Sequence, residues 1–489
     1  MNYLQLPYDF IAHYIGRFSR RIPNGVRRAI LRGLCFVCAF YFPLKYSIGS
    51  HNILKDDYLR SYIYAAVILV FCICLSDGIE NNQVWKKRIA FPFLLFAVCI
   101  VISGCIHPIG KGFLQFGATC LILLPILASI LKDSEKSKLL IRIMADSYLV
   151  MGYLFFIICW VCNPYRTEVF PYGYTGITIN PNFLGMIYLC CSVSSVYHLM
   201  RKHNRYAGGL MFGLSGGMIL LSRSRASELV FAAVFICSFR IIRVICKEEK
   251  KRNCFYILIL VCAGFLISSL LLPELIAKTE YRGIGVIREY TDSWFKNTDL
   301  ELGDSSFSGI EDQNVKSSVS YHDISTTTLT FIEAGVVSRN TVVTCISLPN
   351  FDEINAYSTG RLGVYIDVIR SLNLFGHDMK KDGYYLATGT KLVGAHNTPL
   401  DFAFRCGLPA GILCLIMEVF SLIEAGRILA CKKSFSAEMA FISMAVIIYV
   451  LESMIEIQVL PFTRDITFLY YLVMMPLFCD MESFESSST

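Results

Sequence analysis

Apolar residues run along this chain in helix-length blocks divided by short polar stretches, and the pattern recurs from residue 33 to residue 480. A helix rises about 1.5 Å per residue, so about 20 apolar residues cross a hydrocarbon layer. Segments that fit are 33–48, 59–76, 89–106, 113–131, 143–162, 181–200, 207–221, 226–246, 254–272, 398–426, 437–459 and 466–480. They predict an all-α polytopic membrane protein with about twelve transmembrane helices. Residues 273–397 interrupt the pattern with a polar tract too long for an ordinary connection. The expected organisation is an amphipathic segment over 1–32, helices 1–9 over 33–272, a large loop over 273–397, helices 10–12 over 398–480 and a tail over 481–489.

Smaller patterns refine this picture. Residues 1–32 alternate aromatic and basic side chains (Tyr8, Phe10, Tyr14 and Phe18 against Arg17, Arg20, Arg21, Arg27 and Arg28), which predicts a segment lying along a membrane surface and retained there. The loop region 299–350 is rich in Ser, Thr and Asp, with β-prone runs at Thr326–Ile332 and Thr341–Ile346. From Arg361 to Phe375, apolar residues fall at helical spacing and predict an amphipathic helix ending at Gly376. Gly209, Gly213 and Gly217 are spaced four apart, which allows close helix packing in lipid.

Composition supports the membrane class. Of 489 residues 55% are hydrophobic and 17% charged, against about a quarter charged in soluble domains. The net charge of +7 points to anionic lipid headgroups rather than to nucleic acid, which would need a continuous basic face. The 20 cysteines lie mostly inside apolar runs, where Cys behaves as a small buried hydrophobe, so neither a disulfide framework nor a zinc site is expected. With the N-terminus inside, Lys and Arg concentrate in alternate short loops, for example at Lys86–Arg88 and Arg240–Arg252. That bias predicts both termini in the cytoplasm and the large loop outside.

Polar clusters sit where the outer face would meet that loop. Ser222-Arg223-Ser224-Arg225 follows an apolar run directly. Its guanidiniums either snorkel to headgroups or clamp a phosphate-bearing ligand bidentately. Arg361 opens the amphipathic loop helix, where a cation at the positive end of the dipole sits poorly without an anion nearby. His396-Asn397 precedes the tenth apolar run. Asn397 reads as a cap, and His396 as a structural residue or as a base near neutral pH. Asn180-Pro181-Asn182 reads first as a helix start and otherwise as amides lining a cavity. Glu452 and Glu456, at i,i+4 in the eleventh run, suit a polar cavity or a basic partner such as Arg223 or Arg225, with Glu228 as a competing partner.

Taken in order, these motifs resemble the O-antigen ligase and polymerase superfamily. The resemblance rests on Asn180-Pro181-Asn182, Leu221–Ala226, Ser358-Thr359-Gly360-Arg361-Leu362-Gly363-Val364-Tyr365, Leu374-Phe375-Gly376, Ala395-His396-Asn397 and Gly407–Gly411, spanning 170–425. It implies a GT-C-like multi-pass glycosyltransferase of a bacterial cytoplasmic membrane. The donor would be an undecaprenyl-pyrophosphate-linked oligosaccharide and the acceptor a glycan hydroxyl. By the same resemblance Arg223, Arg225 and Arg361 hold pyrophosphate and His396 activates the acceptor. Tyr365 stands where the family often has Trp, and His377 offers a second imidazole.

Polymerisation of repeat units for capsular, exo- or O-antigen polysaccharide is the leading expectation, working beside a flippase and a chain-length regulator. Ligation of finished glycan to a lipid, wall or protein acceptor shares all these motifs. A non-enzymatic transporter would call for polar tracks through inverted halves, whereas the polar residues here gather at one face. With arginines available for the leaving charge and no D-x-D cluster on the outer face, no cofactor and no metal are expected.

Overall fold

A computed structural model describes residues 2–47, 57–77, 90–107, 112–166, 173–201, 204–248, 251–279, 281, 283–284, 361–377, 384–385, 391–392, 394–430, 435–458 and 465–477. Two compact units are present, one formed by Met1–Arg288 with Gly363–Thr489 and the other by Glu289–Leu362. Of the second, only Arg361 and Leu362 are described; the β-prone runs Thr326–Ile332 and Thr341–Ile346 and the pair Thr359-Gly360 lie outside the described residues.

The first unit is helical. In chain order its elements are α1 (Asn2–Ser19), α2 (Asn24–Lys45), α3 (Asp57–Leu75), α4 (Ala90–Ile106), α5 (Phe113–Ile130), α6 (Ser134–Cys162), α7 (Pro181–Met200), α8 (Arg205–Ser222) and α9 (Arg225–Glu248). Then come α10 (Lys251–Leu266), a π-helical turn (Ile267–Leu271) running into α11 (Leu272–Thr279), and α12 (Arg361–Arg370), whose first two residues belong to the second unit. The strands β1 (Tyr384–Tyr385) and β2 (Lys391–Leu392) pair antiparallel. The chain closes with α13 (Thr398–Cys406), α14 (Leu408–Ala430), α15 (Ala437–Ser453) and α16 (Asp465–Leu477).

Local chemistry sets the helix starts. The side chains of Asp133, Asn180, Asn397 and Ser436 each accept a hydrogen bond from a first-turn N–H that the helix itself leaves unpaired. Helix α7 lies at the centre, with nearly every residue from Leu184 to Leu199 buried. Its neighbour α8 presents the glycine stripe to α10: a methyl on Gly213 would strike the Val261 carbonyl, and one on Gly217 would strike Ser268. Large apolar side chains such as Phe255, Leu258 and Leu271 point outward instead. Several long apolar helices with such faces are consistent with membrane association.

About twelve crossings were expected, and the structure corrects this. Among the described residues five helices are long and apolar enough to span: Phe113–Ile130, Ser134–Cys162, Pro181–Met200, Arg252–Thr279 and Leu408–Ala430. Leu59–Leu75, Ala90–Ile106 and Ile466–Met475 are apolar but shorter. Two further runs fall short for separate physical reasons. Helix α2 carries Arg27, Arg28 and Arg32, and α8 gives positions 208, 209, 213, 216 and 217 to glycine. The run 398–426 is not one helix: Gly407, at φ 95°, separates α13 from α14 where a Cβ would collide with the Leu374 carbonyl. Among the described residues the molecule is therefore all-α with five candidate spans and one short hairpin, in place of the expected twelve-helix GT-C-like bundle.

The amphipathic helix also ends early. Helix α12 stops at Arg370, and the expected continuation to Gly376 is replaced by a turn in which Asn373 Oδ1 accepts the N–H groups of Phe375 and Gly376.

Candidate functional site

Five elements meet at one end of the first unit: the loop 173–180, the start of α7, the turn between α8 and α9, the turn 394–397, and the end of α15. Asn180 caps α7, its side chain accepting from the Asn182 N–H at 2.8 Å, with Pro181 at the first position. Thr178 Oγ1 donates to the Asn180 carbonyl at 3.0 Å, and Tyr46 stacks on Phe183 at 3.9 Å, which fixes the helix entry. Tyr174 N–H bonds the Leu221 carbonyl at 2.8 Å, bringing this loop against the end of α8. Burial pushes the Tyr174 phenol well above its ordinary value.

The Ser-Arg-Ser-Arg turn is built around that contact. Arg223 caps α8 in the left-handed conformation, φ 51°. The reversal turns its serines inward: Ser222, Ser224 and Ser227 are buried, while Arg223 and Arg225 reach solvent. Gly185 of α7 permits this packing, since a Cβ there would come within 2.6 Å of Ser227 Oγ. Ser224 Oγ contacts Ser227 Oγ at 3.1 Å, and Ser227 Oγ donates to the buried Glu452 carboxylate at 3.2 Å. Glu228, in the first turn of α9, feels both Arg225 and Arg223, but burial prevails and raises its carboxyl above the usual range.

The second half is the turn that carries His396. This residue too is left-handed, φ 49°. The turn is held from every side. Ala395 N–H bonds Asp401 at 3.0 Å, Tyr365 donates its hydroxyl to the His396 carbonyl at 3.0 Å, and Asn397 caps α13 through Leu400 N–H at 2.9 Å. Asn397 also donates to the Met454 carbonyl at 3.1 Å, and Thr398 Oγ1 donates to the Glu456 carbonyl at 3.0 Å. The imidazole of His396 is 42% exposed, with Nδ1 turned toward Glu456 Oε2 at 3.9 Å.

Glu452 and Glu456, one helical turn apart, are thus the common floor: one receives the Ser-Arg turn and the other faces His396. Arg361 is the half-buried first residue of α12 and belongs to the second unit. His377 is tied into its own loop, with Nε2 2.6 Å from the Ser371 carbonyl and its ring on Phe404.

Sequence reading passed over Ser227 and Asp401, and it named Tyr365 only as a departure from the family pattern. Ser227 and Glu452 are 225 positions apart, and no local pattern announces such a pair. Asp401 did leave a trace, since Arg405 follows at i+4 and the two form a buried pair at 2.6 Å. Among the described residues no group of three or more His, Cys, Asp or Glu side chains is placed to hold a metal ion. No protein-family model, curated protein or solved structure matches this chain.

Proposed function

We propose that the protein transfers a glycan from an undecaprenyl-pyrophosphate carrier to a hydroxyl of an acceptor glycan, polymerising repeat units of a surface polysaccharide. In this reading it works at the outer face of a bacterial cytoplasmic membrane. The observation that carries the proposal is the placing of backbone strain. Among the described residues the only non-glycine residues at left-handed φ are Arg223 and His396, and both turns rest on the Glu452–Glu456 end of α15. Such strain collects where function fixes a side chain. The order of motifs shared with the O-antigen ligase and polymerase superfamily supports the same conclusion.

The chemistry is a single displacement. The acceptor oxygen bonds to the anomeric carbon, the bond from that carbon to the carrier phosphate oxygen breaks, and the acceptor proton passes to His396. Glu456 faces Nδ1 and favours the imidazolium as it forms, leaving Nε2 for the hydroxyl. Arg223 and Arg225 extend into solvent beside the turn, where their guanidiniums neutralise the leaving pyrophosphate as its charge grows. Since fixed cations take up this charge, transfer is expected to continue in EDTA.

The test is genetic and chemical together. A strain lacking the chain should keep single repeats and lose long polymer; Arg223→Ala and Arg225→Ala should each cut the polymerisation rate about 10²–10³-fold. Full-length polymer left unattached to its acceptor would instead identify a ligase. Unaltered glycan would refute both.

A further inference from the structure

A second ionisable site lies apart from these residues. Glu418 lies within the apolar helix α14, a candidate span, and is 1% exposed. Cys414 Sγ contacts its Oε1 at 3.7 Å, and Tyr449 and Ser453 of α15 and Tyr470 of α16 border the carboxyl. The Tyr449 and Tyr470 rings stack at 3.7 Å, and the Tyr470 hydroxyl bonds Ser421 at 2.9 Å, closing that side. The other helices packed on α14 bring the thiols Cys99 and Cys406 and the Asp401–Arg405 pair, whose charges satisfy each other.

Among the described residues none of the groups bordering Glu418 is a cation; its polar neighbours are the Cys414 thiol and the Tyr449 and Ser453 hydroxyls. A carboxylate so placed is shut off from bulk solvent and faces no opposite charge among these neighbours. A carboxylic acid meets the surroundings at far lower cost, because a proton on Oε2 removes the charge. Tyr449 and Ser453 both lie on α15, the helix whose end carries Glu452 of the candidate site.

We propose that Glu418 is a proton-binding site inside the helical bundle, holding its proton on Oε2 and exchanging it along the Tyr449 and Ser453 hydroxyls toward the Glu452 end of α15. The proposal stands whether or not the protein transfers glycan.

Infrared difference spectroscopy of the full chain against Glu418→Gln, both purified in detergent near neutral pH, tests it. The expected result is the carbonyl band of a protonated carboxylic acid in the unaltered chain alone, shifting in D2O, with the shift slowed in Ser453→Ala. Absence of the band overturns the site, and an unchanged shift rate overturns the route. The apolar reagent dicyclohexylcarbodiimide gives a second reading. The acid proton passes to a carbodiimide nitrogen, the carboxyl oxygen bonds to the central carbon, and migration to nitrogen leaves a stable acylurea. Mass spectrometry should find this adduct on Glu418, less of it as pH rises. Protection by Na⁺ would mean a metal cation occupies the site and would overturn the proposal. If Glu418→Gln does not fold, the reaction on the unaltered chain decides: an adduct at Glu418 supports the site, and its absence refutes it.

Discussion

Arg223 and His396 hold a conformation that costs a residue with a side chain about 1–2 kcal/mol and that glycine adopts freely. Neither position was chosen for stability, so glycine should fold better there than alanine. We expect Arg223→Gly and His396→Gly to exceed the matching alanine variants by about 1 kcal/mol in unfolding free energy, measured by chemical denaturation in detergent. Polymer output should fall in every one of these variants, by about 10²–10⁴-fold for His396→Ala. Equal stability of the glycine and alanine versions would mean the left-handed turn is not kept in the membrane. Asp401 acts one step back, holding the turn through the Ala395 N–H while pairing with Arg405. Asp401→Ala takes the paired carboxylate from a mostly buried guanidinium and should cost about 3–5 kcal/mol, with part recovered in Asp401→Ala/Arg405→Met. The caps at Asn180 and Asn397 were legible from sequence because a cap and its proline lie within three residues. The Ser227–Glu452 contact was not, because only the fold brings α9 and α15 together.

At the scale of the element, the sequence located helices better than it ended them. Each apolar run of the sequence overlaps a helix, since burying an apolar face needs the same residues in water or in lipid. Helix ends depend on single residues instead. Gly407-Leu408-Pro409 carries a stop signal, a glycine after the last turn and a proline just beyond, yet the apolar run continues through it and masks the break. The end of α12 at Arg370 follows from Asn373, whose side chain offers the backbone a turn in place of another helical bond. Packing between elements was readable where it depends on small residues: the glycine stripe of α8 does meet α10. Gly213→Leu should therefore separate these helices and lower thermal stability, whereas Gly33→Leu in α2, where a Cβ meets nothing within 4 Å, should leave it unchanged. A Gly213→Leu chain that melts with the unaltered one would refute the close contact.

The whole molecule is where counting apolar runs misled. Hydropathy sums over a window and takes no account of whether one helix runs through it unbroken or carries its charges midway. Five helices meet both conditions among the described residues, and the turns bearing Arg223 and His396 lie at the end of α8 and just before α13. The proposed reaction makes a demand on this arrangement. The carrier lipid stays in the bilayer while its sugar meets water, so the site end must open to the outer aqueous phase. Arg225 is exposed at that end. Arg225→Cys, examined in intact cells against the unaltered chain as the background, should react with a membrane-impermeant maleimide added outside. Pretreatment with that reagent should block a later permeant label at the same position. Labelling of Arg225→Cys only after the cells are broken would put the site on the cytoplasmic face, where no outward-facing polysaccharide could be assembled.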